Sequence, residues 1–179
     1  METTTSSDSG PTSTSSGREL PFAGAPKVAD PLDTKRFQQD PCLALTADQA
    51  QSLTLPATGK PRTMPLGKAC EWNNPNDTGS ATVHFLDQNP YGLSAEYQAH
   101  NDGKTAFFEP LLPFAGYPAV VTGNVDARDQ GLCTVVVGVS DKIAFEVPIT
   151  LSLANIGQKD PCASAAMVAG LALETMKKG

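Results

Sequence analysis

The 179-residue sequence predicts an α+β fold: an antiparallel β-sheet with N-terminal and C-terminal helices packed on it and two disulfides. Three observations carry this. Residues 132–153, LCTVVVGVSDKIAFEVPITLSL, alternate apolar and polar over two long runs. Helix-start signatures stand near each end of the folded region, and four cysteines are spaced so that each end helix can be tied to a strand.

In residues 132–153 the odd positions are Cys133, Val135, Val137 and Val139, then Ile143, Phe145, Val147, Ile149, Leu151 and Leu153. The even positions include Thr134, Gly138, Ser140, Glu146, Pro148, Thr150 and Ser152. Period two marks strands with one face on a core and one face wetter. If both apolar sets share a face, Val139 sits opposite Ile143 with Ser140, Asp141 and Lys142 as the loop. A two-residue loop would set the apolar faces in opposition. Pro148 cannot donate to a ladder, which predicts an edge at that point of the second strand.

From the N-terminus, residues 2–16 hold eleven Ser or Thr with one Gly and one Pro. So little apolar surface cannot offset the entropy of ordering, so residues 1–29 are expected to be a disordered tether with a reach of roughly 30 Å. Residues 30–179 then form one α+β domain. Asp40-Pro41-Cys42 leads into a short helix in which Thr46 and Gln49 make a capping-box pattern and Ala50 and Leu53 the apolar side. Residues 56–67, rich in Pro and Gly, read as a loop. Residues 70–73 read as a strand with Cys70 and Trp72 on one face, and residues 73–79 as a turn. Residues 80–87 return as a strand, with Ala81, Val83 and Phe85 inward and Thr82 and His84 outward.

Residues 91–100 suit a helix with Leu93 and Tyr97 on one side, ending near Asn101-Asp102-Gly103. Residues 106–112 and 119–122 look like strands around the turn-rich PFAGYP, and residues 124–131 are a polar loop. The last helix spans residues 160–178, with Asp160 as cap and Pro161 at the first helical position. Its expected inner face is Cys162, Ala166, Ala169, Gly170, Leu173 and Met176. In all, the sheet should have five to seven strands.

An even cysteine count fits disulfides in an oxidising compartment. With no CxxC and no Cys beside a His, a zinc site has poor support. The tripeptide Asp-Pro-Cys occurs at 40–42 and 160–162, and a strand cysteine lies 28 positions after the first and 29 before the second. Cys133 belongs to the apolar hairpin face and Cys162 to the sheet-facing side of the last helix. Of three possible connectivities, Cys42–Cys70 with Cys133–Cys162 is therefore favoured.

Thirteen Lys and Arg against 19 Asp and Glu give a net charge of −6, and no basic run exceeds two residues. Nucleic acid is excluded as a partner on that balance. No apolar run approaches the roughly 18–20 residues that span a bilayer, and the start is polar from Glu2 onward. Without GxSxG or SxxK, the chain offers no catalytic residue, metal ligand set or cofactor motif. His84 and His100 read as surface residues. An acid and a His within hydrogen-bond reach would revive an enzyme. Thr58-Gly59-Lys60-Pro61 fails as a phosphate loop, and Arg128 opposes a cation in the calcium-like run Asn124, Asp126, Arg128.

Residues 106–121 carry four aromatics and three prolines with Glu109 as the one charge. Two readings stay open: a loop over a satellite core, or the apolar lip of a groove or partner patch. On the second, Phe107, Phe108, Phe114, Tyr117 and Trp72 are the candidate contact residues. Trp72 also suits packing against a Cys70 disulfide.

DPLDTKRFQQDPCLALT, GKACEW, FFE, GYPAV, LCTVVVGVSD and the second DPC, in that order, resemble the actinobacterial lipoproteins grouped as domain of unknown function 3558. The resemblance covers residues 30–179. It implies export, lipid anchoring and a compact α+β domain with paired cysteines, and it brings no known chemistry. Met1 then stands where such a chain carries its lipid-bearing cysteine. The expected protein is a monomeric, non-catalytic, extracytoplasmic domain of the cell envelope, on the membrane only through a lipid anchor missing from this form. Its expected ligand is a protein, a glycan or a lipid-like molecule; an envelope hydrolase and a purely structural spacer are the alternatives.

Overall fold

The computed structural model describes residues 18–179, apart from the side chain of Phe114. Seven strands form one antiparallel sheet in the order β1-β2-β3-β7-β6-β5-β4. They are β1 (Lys60–Met64), β2 (Gly67–Asn73), β3 (Ser80–Phe85), β4 (Phe107–Phe114), β5 (Tyr117–Gly123), β6 (Leu132–Gly138) and β7 (Ala144–Thr150). The helices are α1 (Lys35–Gln39), α2 (Ala47–Ser52), α3 (Ser94–Asn101) and α4 (Pro161–Lys177).

The alternating hairpin is β6–β7, and its parity holds. Val139 and Ser140 both donate to the Ile143 carbonyl, so residues 140–142 form the loop. Lys142 avoids the left-handed region; instead the Ser140 hydroxyl accepts from the amides of Lys142 and Ile143. Val135, Val137, Val139, Phe145 and Val147 are buried on the face that receives α4. Leu153, at the end of the same pattern, has left the sheet and is 71% exposed.

Pro148 departs from expectation, for β7 is a central strand. Its register to β6 is unbroken, but opposite β3 it pairs Ala81 with Ile149 and His84 with Glu146, and the ladder lapses where Pro148 stands. The missing N–H is thus tolerated as a gap in one ladder. Lys60-Pro61-Arg62-Thr63-Met64, expected as a loop, is an exposed edge strand paired to β2. Neither face is buried, so no apolar alternation marks it, and an edge accepts Pro61. PFAGYP narrows to a two-residue turn, with Ala115 and Gly116 both at positive φ and Phe114 paired with Tyr117.

The two Asp-Pro-Cys corners are built alike. Asp40 accepts from the Cys42 amide at 3.1 Å, opening a short 3-10 turn, and Asp160 accepts from the Cys162 amide at 2.8 Å at the head of α4. Both disulfides join as expected, Cys42 to Cys70 on β2 and Cys133 on β6 to Cys162, with Cα atoms 5.0 and 5.1 Å apart. The capping box at Thr46 and Gln49 is complete. The buried face of α4 is rotated from the expected one: it is Pro161, Ala165, Val168, Ala169, Ala172, Leu173 and Met176, with Gly170 facing open space.

The expectation of a tether falls, for residues 1–17, outside the described residues. Residues 18–29 belong with the fold, which moves the boundary from residue 30. The Phe22 amide donates to the Ser94 hydroxyl and the Val28 amide to Asp141 Oδ1 in the β6–β7 loop, while Val28 is 3% exposed. Val28 packs in the main core, while Phe22 and Ala23 are tied to α3, which covers the second face of the sheet. There Leu86, Leu93, Val120, Val136 and Ala144 form a smaller core with Tyr97 and Phe108. The even face of the hairpin is the wetter one, as expected, with Thr134, Glu146, Pro148 and Thr150 half-buried and only Val136, Gly138 and Ala144 fully covered.

Two outcomes are expected in urea denaturation. Replacing Cys133 and Cys162 with Ser should cost about 3–4 kcal/mol, the loop-closure entropy of a loop this long; a loss under about 1 kcal/mol would show that α4 needs no staple. Starting the chain at Asp30 instead of Arg18 should cost about 2 kcal/mol or more through the uncovered Val28 site.

Candidate functional site

The five candidate contact residues do not form one exposed patch. Trp72 is 1% and Tyr117 4% exposed, both in the main core. Trp72 lies under Gly59, where a Cβ would come within 2.7 Å of the indole, so Gly59 serves close packing rather than phosphate binding. Phe108 is half-buried in the smaller core, edge-on to Tyr97 and stacked on His100 at 4.4 Å. Phe107 is half-buried beneath the Arg128 guanidinium, 4.3 Å from its ring centre. Of Phe114, only the backbone is described. The aromatic run thus mostly serves the core; Leu112, 90% exposed, is its outlying apolar residue. Arg128 bridges Asp126 and Glu109, each at 2.7 Å, taking the place a cation would need in that loop.

His84 was expected on the wet face and is 2% exposed under α3. It stands opposite Glu146 across the β3–β7 ladder, and its Nδ1 donates to Glu146 Oε1 at 2.7 Å. Its Nε2 has no partner among the described residues. An acid and a His do therefore meet within hydrogen-bond reach, but Nε2 is itself buried, out of reach of a reacting group. Glu96 on α3 faces the same pair. Burial, and secondarily the charge of Glu146, push its carboxyl above the ordinary glutamate range.

A groove opens at the opposite end of the sheet from the β4–β5 turn. It encloses about 350 Å³, toward the small end of ligand pockets. Four separate segments build it: the end of α2, the β2–β3 turn running into β3, the end of β7 with the loop that follows it, and the first half of α4. Leu53, Leu55, Ala81, Ile149, Leu151, Met167 and Val168 give it apolar walls. Ser52, Thr54, Ser80, Ser152 and Ser164 add hydroxyls, Asn74 and Asn155 amides, and Asp77 and Lys159 the charges.

Thr54 holds the groove's strained backbone. The Leu55 amide donates to the Ala50 carbonyl and the Thr54 amide to Gln51, a Schellman ending for α2 whose left-handed residue is Thr54, at φ 62°. Glycine or asparagine is the favoured residue there, and a β-branched one costs about 1–2 kcal/mol. Residues held against such strain cluster at ligand-contacting sites. Nothing in the sequence marked this groove, because its residues come from a helix end, a turn, a strand end and α4, none of which carries a motif of its own.

The family model described as a protein of unknown function, DUF3558, matches residues 2–175. The chain belongs to this family. No curated protein and no solved structure matches it. The DUF3558 match runs through every segment that lines the groove and through all four cysteines. No helix among the described residues is long and apolar enough to cross a membrane.

Two substitutions follow. Above its raised folded pKa Glu96 is charged and opposes folding; below the ordinary carboxylate value it is protonated in both states. Its cost therefore appears as pH rises through that interval. Glu96→Gln should raise Tm at pH 7 and lose that advantage near pH 3.5, below the ordinary glutamate pKa of about 4.3. An equal gain at both pH values would discount the charge. Thr54→Gly should stabilise by about 1 kcal/mol in urea denaturation.

Proposed function

We propose that this chain is a non-catalytic binding domain of the actinobacterial cell envelope, lipid-anchored outside the cytoplasm, that takes a lipid-like molecule in the groove between α2, β7 and α4. The groove carries the reading. It is concave and apolar-walled, with hydroxyls and amides at its margin, the composition of a small-ligand pocket. The strained Thr54 lies in its wall. Two disulfides support an oxidising compartment, since such bonds persist outside the cytoplasm. The anchor and the source follow the resemblance to lipoproteins of this family.

The lining also ranks the ligand classes. A sugar ring presents a C–H face that proteins cover with an aromatic ring, and among the described residues no aromatic side chain lines the groove. A protein partner would favour a broad apolar patch, whereas Trp72 and Tyr117 are buried and Phe107 and Phe108 half-buried. A short aliphatic chain suits walls of Leu, Ile, Val and Met. The buried His84–Glu146 pair serves the fold on this reading, as a polar cross-strand contact beneath α3.

Isothermal titration with 1-decanol, below its aggregation limit, is the direct measurement. Saturable one-to-one binding is expected. Met167→Glu, at a position 61% exposed and outside the buried core, should weaken it about tenfold by placing a charge on the apolar wall. Ser164→Phe should block it by filling the space, with the melting curve of each variant recorded alongside. Binding of envelope oligosaccharides in place of the alcohol would sink the lipid reading.

A further inference from the structure

The two charges that line the groove are unequally committed. Asp77, in the β2–β3 turn, accepts from the Thr78 amide at 2.6 Å and lies 3.5 Å from its hydroxyl. Lys159, just before α4, forms no ion pair and no side-chain hydrogen bond among the described residues, although its backbone amide is fixed to the Asn155 carbonyl. Its neighbour Asp160 is committed to capping, accepting from Cys162 and Ala163. A single unpaired cation therefore stands at the margin of an apolar cleft, with one carboxylate elsewhere on the same margin.

We infer that the groove selects a single-chain monoanionic amphiphile, a fatty-acid-like carboxylate whose chain lies on Leu53, Ile149, Met167 and Val168 and whose head meets Lys159. This rests on the groove being the lipid-like site proposed above. Charge complementarity decides the head. A neutral head leaves Lys159 unanswered, and a cationic one is repelled by it. A phosphate monoester, at −1.5 to −2 near neutral pH, brings more charge than Lys159 can match beside Asp77. A carboxylate brings one charge and accepts hydrogen bonds from the ammonium and from hydroxyls such as Thr54 and Ser152.

Titrating the full chain with decanoate, 1-decanol, decyl phosphate and decylamine, equal in chain length, separates the head from the tail. Decanoate is expected to bind about tenfold tighter than decanol, by the worth of a charge-assisted hydrogen bond, and tighter than the other two. Lys159→Ala should erase that margin while leaving decanol affinity unchanged. Added salt should weaken decanoate but not decanol. Equal affinity for decanoate and decanol, or a decanoate margin that survives Lys159→Ala, overturns the carboxylate assignment and leaves the lipid groove standing. Tighter binding of decyl phosphate overturns it in the same way. Failure of all four to bind saturably, or binding untouched by Ser164→Phe, overturns the groove itself.

Discussion

The pairing of β3 with β7 is the contact on which the remaining structure depends. Every other neighbouring pair of strands in the sheet is consecutive in sequence. The chain makes one meander of β1, β2 and β3 and another of β4, β5, β6 and β7, and the β3–β7 seam turns them into one sheet. It runs on both sides of the gap at Pro148 and carries the His84–Glu146 pair. The groove lies at one end of this seam, because Ala81 on β3 and Ile149 on β7 are paired there and both line it. A ligand seated in the groove touches both meanders at once.

Coverage of both sheet faces follows from how the helices are fixed. α4 is held to β6 by Cys133–Cys162, and its small residues Ala165, Ala169 and Ala172 let it lie close on the strands. On the other face α3 is tied by a few contacts: Leu93 and Tyr97 in the smaller core, Ser94 with Phe22, and the Gly92 amide with the Lys142 carbonyl. Glu96 is drawn into this layer at a cost to its charged form. The face walled by α4 and α2 is the one that bears the groove.

What was legible in the sequence was local or covalent. Asp160 announced its cap, Thr46 and Gln49 their box, and the valines of β6 their parity. The disulfides could be inferred because cysteines were already placed on faces by these local signals. Distant coverage was not legible. His84 alternates with Val83 and Phe85 as a solvent-facing residue does, yet it is buried, with Glu146 of the distant strand β7 beside it. Pro148 reads as an edge residue in any single strand, and only the partner on its far side shows that the ladder closes around it. Phe114 and Tyr117 looked too apolar for a turn because the turn is in fact two residues long and both belong to the strands it joins. The groove was hidden most completely, since Thr54, Asp77, Lys159 and Ser164 share no segment.

The Asp-Pro-Cys corners bear on how the thiols find one another. Each disulfide lies wholly on one side of the β3–β7 seam, with 28 and 29 residues between its cysteines. Every mispairing of the four cysteines would close at least one much longer loop, and the entropy of closure rises with loop length. The capped corners also hold Cys42 and Cys162 at the heads of helical turns. An oxidant acting before the two meanders meet is therefore steered to the native pairs, and the chain reaches assembly with its covalent connectivity already decided.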